Sequence, residues 1–140
     1  MSSPFTVTEI PTDECWQLLD ATRFGRLAMA VGSDPDIYPI NFLVDGETIL
    51  MKTTAGNKLF EVTLNPSVAL EADYVSDTEA WSVIVKGIAR VVDSFSEMYE
   101  KDEKHLETWL PSPKSIYVTI ERTTVSGRRF TRDPDASADA

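Results

Sequence analysis

Seven consecutive residues, Lys52-Thr53-Thr54-Ala55-Gly56-Asn57-Lys58, have the makings of an anion site. Two ammonium groups and two threonine hydroxyls flank a single glycine. An alternating pattern over residues 47–54 predicts a strand leading in, and a short helical pattern, Lys58-Leu59-Phe60-Glu61-Val62, leads out. The free N–H groups of a helix start point outward, and the helix dipole favours negative charge there. Gly56 can adopt positive φ, which curls successive N–H groups into a nest. No acidic residue falls between Glu47 and Glu61, in a chain whose net charge is −10. A phosphate fits this corner. An ordinary strand-to-helix corner with solvated lysines fits it too, because short Gly/Lys/Thr loops are common.

Other reactive chemistry is scarce. Cys15 is the only cysteine and His105 the only histidine. One chain can therefore form no internal disulfide and no zinc cluster of nitrogen and sulfur ligands, and no metal site is expected. Cys15 reads as a small core residue. His105 falls in the charged run 97–107, which reads as an exposed helix face, so nucleophilic hydrolysis is disfavoured. A second basic stretch, 122–132, holds Arg122, Arg128, Arg129 and Arg132 with no acid between them. A solvated basic strand accounts for most of these arginines. The acidic balance excludes a nucleic-acid backbone as partner. No apolar run approaches the ~20 residues of a membrane span, and no signal peptide opens the chain. The 140 residues read as one soluble, cytoplasmic domain.

The elements that must position these residues follow from patterning. Residues 1–11 read as an arm with a short strand at Phe5-Thr6-Val7. A helix is predicted over 13–22, with Thr12 as its N-cap and Gly25 as its stop. Strands are predicted over 26–31 and 37–44, joined by the turn 32–36. Small Ala28 and Ala30 suggest close packing on one face. Pro39 cannot donate to a ladder, which places it at an edge, a bulge or a break in pairing. Asp45-Gly46 signals a hairpin into 47–54. After a helix over 58–64, strands follow at 67–74 and 81–92, the second bent at Gly87. A helix over 96–109 is capped by Ser96 and ended by Pro111 and Pro113. Two last strands span 115–121 and 125–130, and the tail beyond reads as disordered. Six or seven strands linked mostly by hairpins predict a closed or partly closed antiparallel barrel.

In order, five segments carry a resemblance: Gly25-Arg26-Leu27-Ala28, Tyr38-Pro39-Ile40-Asn41-Phe42, the Lys52–Lys58 corner, Trp81-Ser82-Val83-Ile84-Val85-Lys86-Gly87-Ile88-Ala89, and Val125-Ser126-Gly127-Arg128-Arg129-Phe130. Together they resemble the pyridoxamine 5′-phosphate oxidase-like flavin-binding split barrels, in the short, nitroimidazole-reductase-like branch. The resemblance implies a mainly β protein, an antiparallel Greek-key split barrel with flanking short helices over 12–131, and a tail over 132–140. It implies FMN at the seam of a homodimer. Tyr38, Pro39, Ile40, Asn41 and Phe42 would lay their main chain along the flavin ring. Lys52, Thr53, Asn57 and Lys58 would hold its phosphate. Ser82 would touch the flavin, with Trp81 beside it, although Trp81 also fits a core position at a strand end. The basic run of the larger oxidases is reduced here to Asn57-Lys58. No segment matches their pyridoxal-phosphate grip, and Arg128 and Arg129 have no assigned role.

Three functions are compatible with such a chain. One is an FMN-dependent oxidoreductase acting on a small molecule, with NAD(P)H binding only transiently, since no Gly-x-Gly-x-x-Gly fingerprint exists. Another is a flavin carrier or redox sensor without turnover. The third is a binder of deazaflavin or haem, with haem disfavoured because His105 is the only strong axial ligand. Large apolar side chains expected on the outside (Phe42, Ile84, Ile88, Tyr117) favour a two-fold dimer.

Overall fold

The computed structural model describes residues 5–54, 57–92 and 115–132. Within them the order is β1 (Phe5–Glu9), α1 (Thr12–Thr22), β2 (Phe24–Val31), β3 (Asp34–Asp45), β4 (Thr48–Thr54), α2 (Asn57–Leu64), β5 (Ser67–Val75), β6 (Glu79–Val91) and β7 (Ser115–Arg132). The strands form one antiparallel sheet in the order β1-β7-β4-β3-β2-β5-β6, and β6 also pairs with β7. That last pairing closes six strands into a barrel and leaves β1 as an added edge. The expected helix over 96–109, with His105, lies outside the described residues, as do Ala55, Gly56 and the tail beyond Arg132.

Alternation along the strands fills the barrel. Leu27 and Met29, Ile40 and Phe42, Ile49 and Met51, Leu70 and Ala72, Val83 and Val85, and Val118 and Ile120 are all buried in one core. Cys15 and Leu19 of α1 complete it, so Cys15 is indeed a core residue. Two residues expected on the outside are not there: Phe42 is 0% exposed and Tyr117 is 3% exposed. Phe42 shares the parity of Ile40 and points inward, while Tyr117 packs with Leu50, Val92 and Leu43 in a second cluster. Ile84 and Ile88 do face outward, each 37% exposed.

Several boundaries shift. Pro11, not Thr12, caps α1; its carbonyl accepts the Cys15 amide at 2.9 Å, and Thr12 is already helical. Arg23, in the left-handed conformation at φ 58°, ends the helix and donates its amide to the Leu19 carbonyl. Gly25 is instead a strand residue. A Cβ there would collide with the Glu71 carbonyl oxygen of β5, so glycine lets β5 cross close over β2. The turn between β2 and β3 shrinks to Gly32-Ser33. The arm is a true strand, with Phe5 opposite Arg132 and Glu9 opposite Arg128. Those rungs also bring Thr131 and Arg132, expected in the tail, into β7. The last two strands are one 18-residue strand that bends at Arg122 (φ 54°). Expectations at Asp45-Gly46 and Gly87 hold: Asp45 pairs with Thr48 across the turn, and the β6–β7 register slips between Lys86 and Ile88.

Candidate functional site: the split between β3 and β4

β3 changes partner along its length. Residues 34–41 pair with β2, whereas residues 42–45 pair with β4. The last rung between β3 and β4 is Phe42 opposite Met51; beyond it the strands part. Continued register would set Asn41 opposite Lys52 and Ile40 opposite Thr53. Lys52 and Thr53 instead pair with Tyr117 and Ile116 of β7. The two segments that sequence singles out, residues 38–42 and 52–54, thus diverge from one point as the lips of a split.

The lips expose main chain. The Phe42 amide bonds to the Arg23 carbonyl at 3.1 Å, on the β2 side. Strand alternation then turns the polar groups of Pro39 and Asn41, and of Lys52 opposite, toward the split. No strand pairs with these edges among the described residues. The absent N–H of Pro39 therefore costs the ladder nothing, which is the edge placement its chemistry demands. Ile40 and Phe42 point their side chains into the core and their main-chain polar groups toward β2.

Lys52 is half-buried, with its ammonium 5.5 Å from the centroid of the Tyr117 ring. No carboxylate lies within ion-pair distance of it among the described residues. Asn57 and Lys58 open α2, two residues after β4 ends, as the sequence predicts. Helix α2 is tied back across the barrel. The Tyr38 hydroxyl donates to Glu61 Oε1 at 3.1 Å, and the Asn65 side-chain amide donates to the Ala30 carbonyl at 2.7 Å.

Ser82 lies elsewhere on the outer face. Pro39 of β3 pairs with Arg26, Arg26 with Glu71, and Glu71 with Ile84, two residues from Ser82. Three strand spacings, about 14 Å, separate the ends of this rung. A polar relay spans part of that distance. Ser82 Oγ donates to Glu71 Oε2 (3.2 Å), and Arg26 donates to Glu71 Oε1 (3.1 Å) and to Asp73 (3.2 Å). Burial, then Asp73, pushes the Glu71 carboxyl up, while Asp73 and Glu71 hold the Arg26 guanidinium charged. Trp81 turns the other way. It packs against the core and stacks on Tyr74 with centroids 6.5 Å apart, so of its two expected readings the core one describes its position.

Ser82 also lines a cleft of about 670 Å³ with Ile84, Ser126, Arg128 and Phe130. No residue of the split contributes to this cleft. The adjacent arginines divide here. Arg128 is exposed along the cleft, whereas Arg129 is held by Glu14 (2.7 Å) and Glu79 (2.8 Å). Sequence could not separate the two, because both carboxylates come from distant elements.

Comparison with known proteins gives a consistent picture. The profile of the pyridoxamine 5′-phosphate oxidase family matches residues 11–129. The uncharacterized protein Rv3129 of Mycobacterium tuberculosis is 36% identical over 97 residues, covering 68% of this chain and 88% of that protein. A Corynebacterium glutamicum structure, provisionally named a pyridoxamine 5′-phosphate oxidase, superposes with a TM-score of 0.83 at 37% identity. It covers 90% of this chain and 99% of its own. An FAD-binding protein of Mycobacterium smegmatis superposes at 0.75 with 36% identity, covering 89% and 98%.

Proposed function

The chain belongs to the pyridoxamine 5′-phosphate oxidase family, and on that premise we propose that it binds a flavin nucleotide, FMN, at the β3–β4 split and acts as a flavin-dependent oxidoreductase. The observation that carries this reading is the parting of the strands after the Phe42–Met51 rung. It turns open main-chain edges toward the gap beside Lys52, where a planar ring with polar edges can be gripped. In this reading Lys52, Thr53 and the Asn57-Lys58 start of α2 meet the phosphate. Pro39 and Asn41 meet the ring with main-chain groups. The bound flavin would supply electron transfer, while the protein orients it and excludes water. That division of labour needs no acid–base histidine. The substrate is a small molecule, and NAD(P)H binds transiently if it is the donor.

We further propose a homodimer. The split and Ser82 lie about 14 Å apart on the outer wall of a closed barrel, so a flavin touching both would lie across that wall, open to solvent unless a second copy covers it. Outward-facing Ile84 and Ile88 supply apolar area for that contact. FAD is the second reading, favoured by the FAD-binding Mycobacterium smegmatis relative.

Thermal melts with FMN, FAD and riboflavin test the assignment. Ligand at a hundredfold excess over Kd stabilises by about 2.7 kcal/mol. For a domain of this size that raises Tm by roughly 8 °C. FMN should give the largest shift and riboflavin, without phosphate, the smallest. Equal shifts from FMN and riboflavin would remove the phosphate corner from the mechanism, and a larger shift with FAD would favour the dinucleotide. Bleaching of bound flavin by NADH or NADPH, with reoxidation by an acceptor, distinguishes turnover from carriage.

A further inference from the structure

Glu61 stands on α2 one turn after Lys58, and its side chain meets β3. One carboxyl oxygen, Oε1, accepts the Tyr38 hydroxyl at 3.1 Å. The other, Oε2, is buried and has no hydrogen-bond partner among the described residues. The Asp36 carboxyl, another acceptor, meets the Glu61 carboxyl. Two ionised carboxylates offer only lone pairs to each other and repel. A single proton between them removes the repulsion and satisfies the buried oxygen.

We propose that Glu61 and Asp36 share a proton, and that this proton, with the Tyr38 hydroxyl, clamps α2 to β3 and makes flavin binding proton-dependent. The inference rests on the flavin reading above. Its logic is positional. The clamp joins the helix that opens with Asn57 and Lys58 to the strand that forms the facing lip of the split. Losing it frees one lip from the other, so the phosphate donors and the ring-binding main chain no longer hold a set spacing. Glu61 and Asp36 are thus positioning residues that need not touch the cofactor.

The surroundings favour the proton. From β3, Asp34, Asp36 and Tyr38 face Glu61. From β2, Met29, Ala30 and Val31 carry no charge, and Arg26 is engaged by Glu71 and Asp73. On α2 itself the other charged residue is Lys58, three positions before Glu61 in the sequence. Contact with the Asp36 carboxyl, followed by burial, raises the Glu61 carboxyl above its ordinary 4.5. A carboxyl raised by folding stabilises the fold below its unfolded value, and that contribution is lost as pH rises through the folded value. The clamp therefore weakens on the alkaline side of 4.5.

The test compares wild type, Glu61→Gln and Asp36→Asn. Each substitution places an amide donor between the two side chains, so the bridge no longer needs a proton. FMN affinity is measured by fluorescence titration between about pH 5 and pH 8, and thermal melts without flavin cover the same range. The phosphate of FMN ionises near ~6 in all three proteins and cancels in the ratio. Wild-type affinity relative to Glu61→Gln should fall as pH rises, by at most about tenfold per pH unit for one proton. Wild-type Tm relative to the variants should fall in parallel. A ratio constant within about twofold overturns the linkage to flavin. A pH-independent Tm difference overturns the shared proton itself. If no protein binds flavin at any pH, the proposed function fails and takes the linkage with it, while the melts still decide the shared proton.

Discussion

Gly25→Ala tests the barrel at its narrowest seam. β2 and β5 share three rungs, Arg26 with Glu71, Leu27 with Leu70 and Ala28 with Ala69. Gly25 lies at the end of that seam. A Cβ there meets the Glu71 carbonyl oxygen inside contact distance, the Glu71 carbonyl carbon at 3.2 Å and the Phe42 ring at 3.4 Å. Relief requires β5 to move away by about 1 Å, which overpacking studies associate with a cost of ~1–3 kcal/mol. The same movement stretches ladder hydrogen bonds worth about 0.5–1.5 kcal/mol each. Against this, alanine restricts the unfolded chain and returns about 0.4–1 kcal/mol. The clash wins, and the net loss is roughly 2–3 kcal/mol by these terms. In urea, with a slope of about 1–3 kcal/mol per molar, the midpoint should drop by roughly 1–2 M. Gly46→Ala is the internal comparison: its φ of 64° strains alanine, yet open space surrounds it. Its cost should stay near ~1–2 kcal/mol. A Gly25→Ala midpoint within about 0.3 M of wild type, at unchanged slope, would refute the close crossing of β5 over β2.

Two further expectations concern the ligand and the assembly. Lys58→Ala should weaken FMN binding roughly ten- to a hundredfold in fluorescence titration, as expected for a lost charge-assisted contact of about 1.5–3 kcal/mol. Lys52→Ala should cost less, because Lys52 stands in the strand while Lys58 opens a helix whose N–H groups would meet the same dianion; the reverse order would contradict this division. Ile84→Asp combined with Ile88→Asp, on the outer face, should yield a species of about 16 kDa by light scattering at micromolar concentration, whereas a dimer unaffected by both changes would place the contact elsewhere.

Local chemistry makes some features legible in the linear chain. Asp45-Gly46 announces its hairpin because few other residues tolerate positive φ there. Gly87 marks its bulge because Glu121 and Ile120 of β7 leave no room for a Cβ. Pro39, without an N–H, signals an edge, a bulge or a break in pairing, and the end of the β3–β4 ladder makes it an edge. Other features depend on partners far away in sequence. The αL conformation of Arg23 does not follow from its residue type, and Gly25 two positions later has the chemistry of a helix stop. Residues 121–124 resemble a turn, yet β6 runs alongside them and holds β7 as one strand. Arg128 and Arg129 are indistinguishable in sequence, and only Glu14 and Glu79 separate them.

By itself, the sequence determined the parts whose physics is local: strand alternation, turns, helix starts, the basic corner at Lys52–Lys58, and the motif order that marks the family. Tertiary structure decided what depends on which strands meet. Register ends the β3–β4 ladder at Phe42 and Met51 and so creates the split. The same register sends the Ile40 and Phe42 side chains inward and turns the main-chain groups of Pro39 and Asn41 toward the split. Folding also sets Glu61 against Asp36, 25 residues apart, and buries a carboxyl oxygen of Glu61. Two acids at that separation carry no signal in a linear chain, because their interaction arises only when helix and strand pack and water is excluded.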